Sequence, residues 1–215
     1  MKAVADLPSS GALKSMLRGL MLPLRADFAV NPYASDRRVL AVWRLGQCAH
    51  GRPGAAAFAL RRVHSLLDAV YVRSIIGAEL PRSAAAGPGL RLPHSGRGVV
   101  LHPSVRLGAG VTLYHRVTMG VRGAAGPPTA GDDVYIGPGA VIAGAVHLGA
   151  GSSVGANAVV LEDLPPGATA VGARGRVLVR PEAQVEVTNS SGLSSARDGA
   201  GEGPEPVLPP RAVEP

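Results

Sequence analysis

"AGDDVYIGPGAVIAGAVHLGAGSSVGANAVV", residues 130–160, decides the fold. Ala130, Ile136, Ile142, Leu148, Val154 and Val160 stand six positions apart. Four places after a leading residue comes a small or branched one: Val134, Ala140, Val146, Ser152 and Ala158. The same beat runs upstream through Leu101, Leu107, Leu113 and Met119, with Val105, Val111 and Val117 in the secondary place. A period of six fits neither the 3.6 of an α-helix nor the 2 of a single strand. It is the hexapeptide repeat of a parallel β-helix, in which each unit forms one flat face of a triangular coil. The leading aliphatic points inward and stacks on its copy in the next coil, and Gly, Asn or Asp turns the corner. The expected fold class is therefore mainly β.

Outward from this stretch, "MGVRGAAGPPTA" (119–130) interrupts two blocks that otherwise share one beat. A Gly- and Pro-rich break inside a continuing coil predicts a loop protruding at 120–129, and long loops on rigid scaffolds tend to carry function. Further upstream, "SDRRVLAVWRLGQCAH" (35–50) has a Ser35-Asp36 cap signal and an apolar stripe of Val39, Leu40, Val42, Trp43 and Leu45. After the "GRPG" turn at 51–54, a second helix carries Phe58, Leu60, Val63, Leu66, Leu67, Val70 and Tyr71 at near-helical spacing and ends around Ile75–Gly77. The resulting division is a leader at 1–27, flexible or with one short helix around Leu13–Leu22, then a helical lead-in at 28–84 and a coil at 85–180. Residues 181–215 hold six acids, two Arg and few aliphatics, a composition that predicts a disordered tail.

The chain has 215 residues, enough for a sizeable core without disulfides. Its single cysteine, Cys48, cannot form an internal disulfide, which points to a reducing compartment, the cytoplasm. No signal-peptide pattern and no apolar run long enough to span a bilayer is present, so no membrane association is expected. The formal charge is +7, but 20 of the 22 basic residues are Arg spread along the chain, and aromatics make up only 3%. Nucleic-acid binding is therefore not expected; a mildly basic surface suits a phosphorylated cosubstrate better.

The coil's flat faces invite three-fold packing, with ligand clefts between chains. His94, in "LPHSGRG" (92–98), falls where the pattern breaks. Glu79 lies fifteen residues earlier, at the junction of helices and coil. An imidazole titrates near neutrality and suits the removal of a hydroxyl proton; a carboxylate on one ring nitrogen would fix its tautomer. His115 stands at a non-core place in its hexapeptide, near the loop, and His102 and His147 read as solvated or interfacial. No two histidines have a compact metal-ligand spacing, and no metal is expected.

"GAELP", "GLRLPH", "GVVLHPSVRLGAGVTLYHRVTMG" and "PPGATAVGARGRV" together resemble the serine acetyltransferase-like branch of the hexapeptide-repeat acyltransferases, over about residues 28–180. The resemblance implies a left-handed parallel β-helix of hexapeptide repeats and a homotrimer with acetyl-CoA, as co-substrate, in the groove between adjacent coils. It implies His94 as the general base, oriented by Glu79, acting on the hydroxyl of a small molecule, amino acid or sugar. By position, Gly120, Pro138, Gly139, Ser153, Ala156 and Arg176 would line the CoA groove, and Pro93 and His115 the acceptor site. Two departures stand out. The family has Asp where this chain has Pro93, and an Arg-His pair in a loop that here reads "RGAAGPPTAGD". A carbohydrate or natural-product O-acetyltransferase that does not use serine therefore stays open, as do a carbonic-anhydrase-like metalloenzyme and a non-catalytic trimeric scaffold.

Overall fold

A computed structural model of the chain describes residues 10–173, with side chains from residue 18 onward. The expected tail at 181–215 and Arg176 lie outside the described residues. The architecture is a parallel β-helix capped by helices. Twelve short strands run from β1 (Ala85–Ala86) to β12 (Thr169–Ala170) and form three parallel four-stranded sheets. The first face holds β1, β3 (Arg106–Leu107), β6 (Thr129–Ala130) and β9 (His147–Leu148). The second holds β4 (Thr112–Leu113), β7 (Tyr135–Ile136), β10 (Ser153–Val154) and β12. The third holds β2 (Val100–Leu101), β5 (Thr118–Gly120), β8 (Val141–Ala143) and β11 (Val159–Val160).

The hexapeptide reading maps onto this coil residue by residue. All ten leading positions from Leu101 to Val160 are buried, and so are Val105, Val111, Val117, Val134, Ala140, Val146, Ser152 and Ala158. The chain turns left-handedly through first, second and third faces in order. A full coil takes 18 residues, as in Thr129↔His147 and Val141↔Val159. Two coils are longer. Arg106↔Thr129 spans 23 residues, and the five extra form the protruding loop, which lies between Gly120 and Thr129. Ala85↔Arg106, Arg91↔Thr112 and Glu79↔Val100 each span 21. The three extra residues sit between Arg91 on the second face and Val100 on the third, which places His94 on an insertion at a corner.

The lead-in differs from expectation. α1 spans Ser10–Val30, longer than a helix at 13–22 and continuous across the expected boundary at residue 27. α2 (Ala34–Ala49) and α3 (Ala55–Leu67) follow, and α3 continues into a π-helical segment, Asp68–Ile76. α2 and the π segment cover the open end of the coil: Val39, Leu40, Trp43, Val72 and Ile76 join Leu80, Leu90 and Leu92 in one apolar core. α3 leaves Phe58, Val63 and Leu66 exposed and buries Ala57 and His64 instead.

Polar side chains fasten this cap. The Arg44–Asp27 ion pair is 2.8 Å long and almost fully buried. Such a pair is tolerable because its remaining donors and acceptors are met. Arg44 donates to the carbonyls of Ala86 and Gly87, both at 2.6 Å, and Asp27 Oδ1 accepts from the Leu90 N–H at 2.9 Å. Asn31 donates to the Leu90 carbonyl and accepts from the Leu92 N–H. The expected Ser35-Asp36 cap is absent as such, for Asp36 makes no helix-cap bond and points at the coil instead.

Candidate active site

His94 lies in a single tight turn, Pro93–Gly96, whose backbone is left-handed. His94 has φ 57° and Ser95 φ 59°, and neither is glycine. A side chain in this region is strained and persists only where the surroundings over-determine it. Here Asp36 does so: its Oδ1 accepts from the Ser95 N–H at 2.8 Å and from the Ser95 hydroxyl at 3.0 Å. Gly96 continues the left-handed path at φ 61°, where Leu92 leaves no room for a Cβ. The turn lifts the imidazole of His94 out of the coil and leaves it exposed.

The His94 ring meets the edge of His115 at 5.0 Å between centroids, in a T-shaped arrangement. His115 is half-buried, and its Nδ1 is buried with no hydrogen-bond partner among the described residues. Tyr114 stands 6.3 Å from His94 and 5.4 Å from Tyr135, so an aromatic wall continues down the coil. Burial pushes the Tyr135 hydroxyl above its ordinary value, and neighbouring Tyr114 adds to the rise, which keeps this phenol neutral. A cavity of about 510 Å³ opens beside His94, lined by Val30, Asn31, Tyr33, Asp36, Arg91 and Tyr114 among others. Pro93 lines it too.

Several expected cosubstrate residues stack on the same edge of the prism. The Arg116 N–H donates to Arg97 at 2.7 Å, the Gly139 N–H to His115 at 3.0 Å, and the Asn157 N–H to Pro138 at 2.9 Å. His94, His115, Pro138, Gly139 and Ala156 thus succeed one another from coil to coil. Ser153 lies on the adjoining second face, in register with Tyr135. Gly120 sits at the next corner round, where an added Cβ would meet nothing within 4 Å. Glu79 is exposed, and no hydrogen bond joins it to His94. Its backbone pairs instead with Val99 and Leu101, just beyond the His94 turn. Asn31, Asp36, Arg91 and Tyr114 are the cavity residues that the sequence concealed. Asp36 read as part of a helix-cap signal, and no pattern in the sequence marked Asn31, Arg91 or Tyr114.

The family described as "Bacterial transferase hexapeptide (six repeats)" matches residues 131–162. A serine acetyltransferase of Helicobacter pylori (strain J99) is 40% identical over 131 residues, 59% of this chain and 76% of that one. One from Mycobacterium tuberculosis (strain H37Rv) is 39% identical over 113 residues, 51% of this chain and 49% of that one. Among solved structures, the serine acetyltransferase of Neisseria gonorrhoeae in complex with serine superposes with a TM-score of 0.56 at 27% identity, covering 78% of this chain and 72% of that one. A coil with an inserted histidine at its first corner, and relatives of this closeness, identify the chain as an acyltransferase belonging to the serine acetyltransferase-like hexapeptide-repeat family.

Proposed function

We propose that the chain is an acetyl-CoA-dependent O-acetyltransferase with His94 as general base and a small hydroxyl compound, serine first, as acceptor. The observation that carries this reading is the strained turn that presents an exposed imidazole at the mouth of a cavity, on the edge where Pro138, Gly139 and Ala156 stack. The acceptor hydroxyl gives its proton to His94, and its oxygen attacks the thioester carbonyl. The C–S bond then breaks, and the CoA thiolate takes the proton back from the imidazolium. Backbone N–H groups along the edge would meet the oxyanion of the tetrahedral intermediate. Glu79, whose backbone pairs with Val99 and Leu101 beyond the His94 turn, is the carboxylate assigned to steady the imidazolium.

Arg91 puts a positive group on the cavity wall, while the buried Asp36 carboxylate is taken up by Ser95 and Ser35. That cation complements the carboxylate of an amino acid and supports serine even though the loop lacks an Arg-His pair. A sugar or natural-product acceptor is the second reading, favoured by that loop and by Pro93. The reading includes a homotrimer, with the CoA groove between coils, and a cytoplasmic setting. Replacing His94 by Ala should lower kcat for thiol release from acetyl-CoA by about 10²–10⁴-fold with the competent acceptor. The competent acceptor is found first by offering wild-type protein serine, homoserine and a sugar panel. Unchanged turnover in His94→Ala would remove His94 from the mechanism.

A further inference from the structure

We infer that the helical lead-in carries a second ligand site, for a phosphoryl group, that shares no residue with the His94 cavity. A cavity of about 530 Å³ opens between α1, α2 and the segment leading into the coil. Arg18, Arg52, Arg82 and His50 stand on its wall, and among the described residues no Asp or Glu lines it. The fourth guanidinium there, Arg44, is already spent on Asp27. Arg52 reaches across to α1, where its Nη2 would lie 3.3 Å from a Cβ at Gly19. It also sits close enough to Cys48 to oppose the upward push of burial on that thiol. Like charges gathered without a counter-charge repel one another, and an anion among them relieves that.

A second, independent feature points to the same ligand. An adjoining depression of about 390 Å³ shares His50, Arg82 and Ser83 with the first and reaches His64. His64 is only 4% exposed, and both of its ring nitrogens lack a hydrogen-bond partner among the described residues. Buried polar atoms are normally satisfied, and each exception calls for a missing partner. Burial lowers the His64 pKa; Asp68 opposes this, while Arg82 and Arg73 reinforce it. Arg73 is tied to Asp68 at 2.8 Å, which leaves Arg82 as the guanidinium of this depression with no ion pair among the described residues. An oxyanion on Arg82 would neutralise its charge and accept from a His64 N–H. A phosphoryl group matches a guanidinium fork and leaves oxygens for the other donors.

The test uses the whole protein and two probes, inorganic phosphate and glycerol 3-phosphate, against sodium chloride at matched ionic strength. A ligand that binds only the folded state raises Tm. Either probe should raise the wild-type Tm by about 3–5 °C at saturation, with chloride inert. Arg82→Ser should abolish that rise. Tighter binding of glycerol 3-phosphate would assign the site to a phosphorylated metabolite, and equal binding to free phosphate. In wild-type protein the His64 ring-nitrogen resonances should move on titration with either probe. That readout stands even if Arg82→Ser fails to fold, and Arg52→Ser supplies a second variant. An equal rise in wild type and Arg82→Ser, an equal rise with chloride, or unmoved His64 resonances would each overturn the site.

Discussion

His94 and Ser95 adopt a backbone that suits glycine, and Asp36 holds them there through the Ser95 N–H and hydroxyl. Strain of this kind costs about 1–3 kcal/mol per residue and collects at functional sites. The insertion therefore fixes one imidazole in space at the expense of local stability. His64 shows a different use of the same side chain. Burial holds its folded-state pKa below the ordinary imidazole value, so between those two values the unfolded chain binds more protons than the folded one. Stability rises with pH across that window and is lost on acidification. In a phosphate-free buffer, wild-type Tm should fall more steeply from about pH 7.5 to about pH 5 than that of His64→Gln. Parallel slopes would show that His64 does not titrate with folding. At this scale the sequence was legible where a residue broke a pattern, as His94 did, and illegible where its partner lay far along the chain. Asp36 is adjacent to an ordinary cap position but bonds a residue 59 places away.

The helices show where pattern reading stops. Their existence follows from apolar spacing, and α2 buries Val39, Leu40, Val42 and Trp43 as the stripe predicts. Their ends do not follow. α1 runs on through Asp27, the last residue of the expected leader, and Asp27 is fully buried. Its partner Arg44 sits 17 residues on, and the carbonyls that Arg44 satisfies lie more than 40 residues on. The α2–α3 crossing depends on Gly46, against which the His64 ring is packed so closely that a Cβ has no room. Gly46→Ala should therefore force the helices apart and destabilise the protein by about 1–3 kcal/mol, despite alanine's better helix propensity. Urea unfolding measures it, and a gain in stability would show that the crossing yields freely.

At the scale of the molecule, the coil was the most legible part. A period of six admits few folds, and every leading residue it marked is buried. The chain-to-chain arrangement is not written in that period, since outward residues are free of it. The third face nevertheless carries an apolar outward ladder, with Val100 37% and Val159 64% exposed in register with Thr118 and Val141. A flat ladder of this kind is what three coils would bury against one another. Val159→Lys should convert the proposed trimer into a species of one-third the mass in sedimentation equilibrium, with the monomer fold retained by circular dichroism. A trimer unaffected by that change would place the contact on another face.

The loop between Gly120 and Thr129 enters and leaves the coil without disturbing the ladder on either side, for Arg106↔Thr129 and Thr129↔His147 keep their pairing. Loop length weighs little in free energy, so this corner accepts chain of almost any composition. The scaffold and the loop are thereby separable units of inheritance. A lineage can exchange the loop while the prism descends unchanged.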